Sequence, residues 1–356
     1  MVFVSAIVLA AGCSEKPNRY IRLVVYSPHG KEILEDFEHR FEFLHQNDEI
    51  SIDVVPYQKS SQMILQQLLD EKTTPSCDVW WGGSTLMFMK AKEEGLLDTC
   101  PRAEVAAYLH IDHRDPQYYW LAAFLSPVVI IYNQQRVPAH EAPKDWDDLL
   151  DPKWKGKIII RDPLTSESMQ IILSALIYRF YRETGSPDAG YDWLRKLDTN
   201  IFAYADSTEG FFAELNTVTD ATVGVWLLPD VALQRRRYDY RIDYVIPESG
   251  TPVLAEGVAL VRGSQRMETA KTFIDFITSR ESQLHLADPA SGYYRIPSRN
   301  DMKEVLPEWL RDVDIDSMLK AMPIDWNVIQ QNQAEWVAYW KQNIRLKGRA
   351  KSETGG

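Results

Sequence analysis

Asp78-Val79-Trp80-Trp81-Gly82-Gly83-Ser84-Thr85 decides how this chain folds. Four residues of strand character run into two glycines and a hydroxyl residue, then into a helical stretch that stops near Gly95. That is the joint of a β/α unit: glycine permits the tight turn, and Ser accepts from the first unpaired N–H groups of the helix. Upstream the alternation repeats. Ile21 to Ser27 reads as a strand, and Lys31 to Leu44 as a helix with Ile33, Phe37, Phe41 and Leu44 on one stripe. Ile50 to Val55 reads as a second strand, and Ser60 opens a helix carrying Ile64, Leu65, Leu68 and Leu69. This order predicts an α/β fold with a mostly parallel sheet flanked by helices.

Downstream, Leu125 to Asn133 is a long β run, followed by a polar stretch and a second α/β series. Strands are expected at Ile158 to Arg161, Ile201 to Tyr204, Thr222 to Trp226 and Val253 to Val261. Helices are expected at Met169 to Glu183, Thr269 to Ile277 and along Leu306 to Ile344. With 356 residues the chain exceeds what one core usually serves, so two domains are expected.

Composition narrows the function. A formal net charge of −12 disfavours nucleic acid, whose phosphates require a basic face; Arg235-Arg236-Arg237 reads as a solvated helix face. No apolar stretch approaches the ~20 residues that span a bilayer. Cys77 and Cys100 either pair across 23 positions, worth about 3 kcal/mol, or remain buried thiols. No cysteine or histidine cluster has zinc spacing, although His110-Ile111-Asp112-His113 with Asp115 is a candidate metal loop against a solvated one.

Ligands of open parallel sheets bind beyond the carboxyl ends of the strands, where helices begin and present free N–H groups. Those junctions are polar here. The first offers Ser27 and His29, and the third strand offers Gly83 and Ser84. In the second series come Thr165, Ser166, Glu167 and Ser168, then Asp206, then Trp226 with Asp230. Glu256 sits on the late strand. Each alone also reads as a cap or a core residue. Their occurrence in both halves implies two lobes that close on a small ligand, with hydroxyls and amides for a phosphate and carboxylates for hydroxyls or an amine.

Tyr132-Asn133, the run Pro143-Lys144-Asp145-Trp146 through Leu149-Leu150-Asp151-Pro152 to Lys155-Gly156-Lys157, Glu256-Gly257-Val258-Ala259-Leu260-Val261, and Gly292-Tyr293-Tyr294-Arg295-Ile296-Pro297 resemble landmarks of a known family. It comprises ABC-importer solute-binding proteins of the ferric-iron, phosphonate and sugar-phosphate branch. The resemblance implies a type II periplasmic-binding-protein fold: lobe 1 from 21–128 plus 254–300, lobe 2 from 129–253, and C-terminal helices over 301–356. The hinge crossings then fall at Leu125–Asn133 and Thr251–Val261. It further implies an ABC permease as partner, a monomer, no cofactor and no chemistry performed. Iron-binding members carry adjacent tyrosines after the strand matching Val223–Trp226; this chain reads Trp226-Leu227-Leu228-Pro229-Asp230 there. The opening Tyr26-Ser27-Pro28-His29 is instead similar to organophosphate binders, so a sugar phosphate or phosphonate is the expected ligand. Ferric iron and organic cations such as polyamines or thiamine are the alternatives.

The N-terminus fits that picture. Leu9-Ala10-Ala11-Gly12-Cys13 resembles a bacterial lipoprotein signal, implying residues 1–13 as signal plus lipidated Cys13, a tether at 14–20 and an extracytoplasmic, lipid-anchored protein. No Lys or Arg precedes Cys13, and a buried first strand is the other reading. An extracytoplasmic hydrolase is the alternative of a different class; no G-x-S-x-G elbow, H-E-x-x-H helix or P-loop supports it.

Overall fold

A computed structural model describes residues 21–46, 50–56, 60–101, 103–217, 219–311 and 313–345; the expected leader, Cys13 and tether lie outside the described residues. The chain opens on β1 (Ile21–Ser27), whose Leu23, Val25 and Tyr26 are buried on both faces, as a strand covered on both sides requires. Next come α1 (Lys31–Leu44), β2 (Ile50–Pro56), α2 (Ser61–Asp70), β3 (Val79–Ser84), α3 (Thr85–Glu93), β4 (Leu97–Asp98), α4 (Ala103–Ala106) and β5 (Leu121–Asn133). The stripe of α1 buries Ile33, Leu34, Phe37 and Phe41, while Leu44, the last residue of the expected stripe, is 64% exposed. β1 pairs in parallel with both β2 and β3.

The second series is β6 (Ile158–Arg161), α5 (Glu167–Thr184), α6 (Asp188–Asn200), β7 (Ile201–Ala205), α7 (Thr208–Asn216), β8 (Val223–Leu227), α8 (Leu228–Arg237) and β9 (Ile242–Val245). It closes with β10 (Val253–Val261), α9 (Met267–Thr278), α10 (Arg280–Ala287), β11 (Ile296–Pro297), α11 (Ile315–Ala321) and α12 (Trp326–Asn343). β6 lies between β7 and β8, parallel to both.

β5 joins the two halves. Its thirteen residues are all buried. Up to Pro127 it pairs with β10 and β11; from Val128 onward it pairs with β8 and β9. Pro127 stands at the passage, where its missing N–H interrupts neither ladder's demand. The return passage is tied to the outgoing one: Val128 N donates to Pro252 O at 2.9 Å, and Thr251 Oγ1 donates to Val128 O. Two laced ribbons therefore connect lobe 1 (β2-β1-β3-β10-β5) to lobe 2 (β5-β8-β6-β7).

The sheets are mixed rather than mostly parallel. β10 runs antiparallel to β3, β4 and β5, and β5 antiparallel to β8, β9 and β11. The reason is topological: an outgoing and a returning crossing strand must run against the β/α strands they border. The C-terminal stretch is not one helix. Pro323 separates α11 from α12. The arm starts on lobe 1, where Trp309 Nε1 donates to Ala287 O at 2.9 Å. It ends on lobe 2, where Trp336 and Trp340 are buried and Tyr339 stacks on Tyr191 with ring centroids 3.9 Å apart.

Cys77 and Cys100 are both buried and not bonded to each other, lying in separate apolar clusters on the two faces of the sheet. Cys77 Sγ donates to Val79 O at 3.0 Å. In the His110–Asp115 loop, His113 turns into the core, and its pKa is pushed down to about 3 by burial. No three His, Cys, Asp or Glu side chains converge on a metal-sized site among the described residues, and no described helix is long and apolar enough to cross a membrane.

Candidate ligand cleft

The cleft is built where strands of both lobes end. At the end of β1, Ser27 is fully buried and its Oγ accepts the His29 N–H at 3.3 Å, which fixes the turn. The His29 ring packs edge-on to Trp81 at 5.1 Å and tilted against Phe124 at 5.3 Å. Burial, assisted by the Arg295 charge, pulls its pKa down to about 3, so the imidazole is neutral. Its Nε2 is buried without a hydrogen-bond partner among the described residues.

β3 ends beneath this ring because Gly82 and Gly83 take φ of +96° and +141°. A Cβ on Gly82 would lie 2.6 Å from His29 Nε2, so only glycine lets the strand pass. Ser84 then caps α3, accepting from Met87 N at 3.3 Å, and its hydroxyl donates to Glu167 Oε1 at 2.5 Å. Glu167 is the first residue of α5, which Ser166 caps through Met169 N. One carboxylate of lobe 2 thus sits where the N-termini of two helices from opposite lobes meet. Burial raises the Glu167 pKa, and the Ser84 hydrogen bond opposes that shift.

On lobe 2, Trp226 is 4% exposed and its Nε1 donates to Asp230 Oδ2 at 2.7 Å. The indole therefore orients a carboxylate instead of offering a stacking face. Asp230 Oδ1 in turn lies 3.5 Å from Arg295 Nη1, which belongs to lobe 1. Arg295 is placed by its own backbone, N donating to Leu286 O at 2.8 Å, and its guanidinium lies over the Phe124 ring at 5.2 Å. Its Nε has no hydrogen-bond partner among the described residues.

Glu256 faces this arginine from β10. The pairing of β10 shifts register around Glu256, both against β3 and against β5, and such an irregularity re-aims a side chain. Its Oε2 stands 4.0 Å from His29 Nδ1. Burial pushes the Glu256 carboxyl up to about 7, with Asp230 and Glu167 adding to the rise and Arg295 opposing it. A third contact between the lobes lies on the rim, Arg237 Nη1 to Glu32 Oε2 at 3.2 Å.

Of the residues singled out from sequence, Ser27, His29, Gly83, Ser84, Glu167, Trp226, Asp230 and Glu256 belong to or directly underlie this constellation. Ser166 is buried and occupied with its cap, Thr165 is exposed with Oγ1 turned to Asp162 O at 3.3 Å, and Asp206 is exposed. Ser168 is half-buried in the first turn of α5. Arg161, at the end of β6, serves the β7–α7 turn: Nε and Nη2 donate to Ala205 O and Asp206 O at 3.1 and 3.0 Å, and Thr208 Oγ1 accepts from Nη1. Arg295 and Ser126, which lies beside Glu256, are cleft residues that strand-end reasoning passed over. Arg295 had one signal, a lone basic residue in the aromatic run Tyr293-Tyr294-Arg295.

Comparison with known proteins agrees with this geometry. The profile of a family described as "Bacterial extracellular solute-binding protein" matches residues 82–332. The chain belongs to that family. It is 26% identical over 291 residues to a probable ABC transporter periplasmic-binding protein of Sinorhizobium fredii, covering 79% of this chain and 76% of the relative. Among solved structures, the fold is similar to the periplasmic binding protein AfuA of Actinobacillus pleuropneumoniae with fructose-6-phosphate bound (TM-score 0.71, 24% identity, 92% of this chain and 99% of the other). It is equally similar to a ferric binding protein of Campylobacter jejuni (TM-score 0.71, 19% identity, 90% and 98%). The solute-binding protein described here therefore has the two-lobe, type II periplasmic-binding-protein architecture.

Proposed function

We propose that this protein is the substrate-binding component of an ABC importer, anchored outside the cytoplasm through a lipid on Cys13, acting as a monomer, and closing lobes 21–128 plus 254–300 and 129–253 on a small zwitterionic solute. A phosphonate or phosphate group rests on Arg295, and an amine rests among Glu256, Asp230 and Glu167. The observation that carries this reading is the charge pattern of the cleft: Glu256 of lobe 1 feels Arg295, Asp230 and Glu167 together, Asp230 lies 3.5 Å from Arg295, and the Arg295 Nε has no hydrogen-bond partner among the described residues. An anion alone is repelled by that ring of acids, and a group at Arg295 must compete with Asp230. A solute bearing both charges satisfies both sets. The helix N-termini of α3 and α5 are less available, because Glu167 already occupies their junction.

Work of this kind is differential affinity: contacts that exist only when the lobes meet shift the open–closed equilibrium, and no bond is made or broken. The test is calorimetric titration with 2-aminoethylphosphonate, ethylphosphonate, fructose 6-phosphate, ferric citrate and spermidine. The reading expects 2-aminoethylphosphonate to bind more tightly than ethylphosphonate, and Arg295→Ala to abolish the binding. Binding of ferric citrate alone overturns it. Binding of spermidine alone supports a second reading, an organic-cation carrier, which the three carboxylates also favour.

A further inference from the structure

Beside the cleft, past Ser84, a cavity of about 1120 Å³ opens among three bodies of the fold. Lobe 1 contributes α3 and the loop before β5, with Met89, Arg114 and Trp120. Lobe 2 contributes the last turns of α5, with Tyr178 and Arg182. The C-terminal arm contributes Lys320 and the segment Pro323–Gln330, which includes Trp326. None of Ser27, His29, Ser84, Glu167, Asp230, Glu256 and Arg295 lines it. The later turns of α3 and α5 line it, and so does Thr85, the first residue of α3 directly after Ser84, so the space borders the cleft and is shared by both lobes.

Its charges are unevenly satisfied. Asp115 is held by Lys92 at 2.7 Å, Glu93 accepts from Gln330 Nε2 at 3.1 Å, and Asp325 caps α12 through Asn327 N at 2.9 Å. Asp112 faces His110 at 3.5 Å. Of the lining acids only Glu183 lacks such a partner among the described residues. Three cations, by contrast, have no ion pair among the described residues: Arg114 of lobe 1, Arg182 of lobe 2 and Lys320 of the arm. The Arg114 Nε is buried without a hydrogen-bond partner among the described residues, and its guanidinium lies over Tyr118 at 5.5 Å. Each body thus supplies one lining cation without an ion pair, and Trp120, Trp326, Tyr178 and Ile324 form apolar parts of the wall.

We infer that this cavity is a second binding site, for a small organic anion with an apolar or aromatic body. The body fills the space between the indoles, and its acidic group is shared by Arg114, Arg182 and Lys320. Because the three cations come from bodies that move relative to one another, an occupant ties the lobes together in the arrangement where Ser84 meets Glu167. By linkage it therefore strengthens capture in the cleft, and a cleft ligand strengthens it in return. The inference stands on its own residues and does not rest on the solute assigned to the cleft.

The test titrates 1-naphthyl phosphate into the full chain by calorimetry. Saturable binding is expected, weakened about tenfold by Arg182→Glu and likewise by Lys320→Glu, and unaltered by Lys155→Glu at an exposed position of lobe 2 outside the cavity. Arg182→Gln and Lys320→Gln, milder changes at exposed positions, should weaken it in the same direction. Absence of binding, binding indifferent to all four substitutions at Arg182 and Lys320, or binding lost with Lys155→Glu overturns the inference.

Discussion

The Ser84 hydroxyl donates to Glu167 Oε1 at 2.5 Å, joining residues 83 positions apart on helices of opposite lobes. Each residue also serves its own helix, Ser84 as the cap of α3 and Glu167 as the first-turn acid of α5. Both helix dipoles favour negative charge at that point, so the contact is stabilised from two directions. Because it exists only when the lobes meet, it belongs to the closed state.

Glu167→Ala removes the acceptor and leaves the Ser84 cap in place. Losing a hydrogen bond to a charged group shifts the closed–open balance by about 1.5–3 kcal/mol, which weakens the apparent affinity for a cleft ligand at least about tenfold. The unfolding midpoint should move little. Calorimetry and thermal denaturation of the same variant check both halves of this expectation.

Stability should carry the mark of Glu256. Its pKa is about 7 in the folded chain against 4.5 as a free side chain, so between those values the unfolded chain has lost a proton that the folded chain keeps. Stability from this group therefore falls as pH rises from 4.5 to 7 and stays low above. The cost is at most about 3 kcal/mol. His29, whose pKa drops from 6.5 to about 3, contributes in the opposite sense: its share is intact above pH 6.5 and is lost as the solution is acidified. The two oppose each other between pH 4.5 and 6.5. Glu256→Gln should consequently gain stability over wild type as pH rises, as read by urea denaturation across that range; a constant difference would contradict the assignment.

Gly82 is predicted to be irreplaceable. Alanine there meets both a φ of +96° and a Cβ 2.6 Å from His29 Nε2. The strained backbone alone costs on the order of 1–3 kcal/mol. His29→Ala should relieve the collision with the imidazole and leave the backbone strain and the 2.9 Å approach to Pro28 Cδ, so the double variant should lie above Gly82→Ala and below His29→Ala in denaturant midpoint.

Much of the fold is legible because β/α joints are local. β1, β6 and β10 end where apolar runs meet Ser27, Asp162 and Arg262, and α1 has the expected ends, Lys31 and Leu44, although Leu44 is exposed. Strand direction is not local. Nothing within Val253–Val261 says that it runs against β3, and the mixed character of the sheet follows only once β5 and β10 are seen to cross between lobes. β9 escaped for a similar reason: Ile242–Val245 sits amid charges, and its pairing with the second half of β5 defines it. In the cleft, Glu167 and Asp230 were readable as polar residues at helix starts. Arg295 was not, since it reaches the site from a loop whose position depends on Leu286 of α10.

α12 is predicted to hold the arm to lobe 2. Trp340 is 2% exposed against Tyr204, with ring centroids 5.5 Å apart. Trp340→Ala should cost about 3–5 kcal/mol, measured by urea denaturation. An unchanged midpoint would mean the arm is not part of the cooperative unit.

The central claim is that a solute is captured by the meeting of two lobes. Nitroxide labels at exposed His39 of lobe 1 and Lys155 of lobe 2 report the separation directly by pulsed electron resonance. With saturating 2-aminoethylphosphonate the distance distribution should narrow and shift toward its shorter members, and Arg295→Ala should prevent the shift. Calorimetrically confirmed binding that leaves the distribution unchanged would contradict the account.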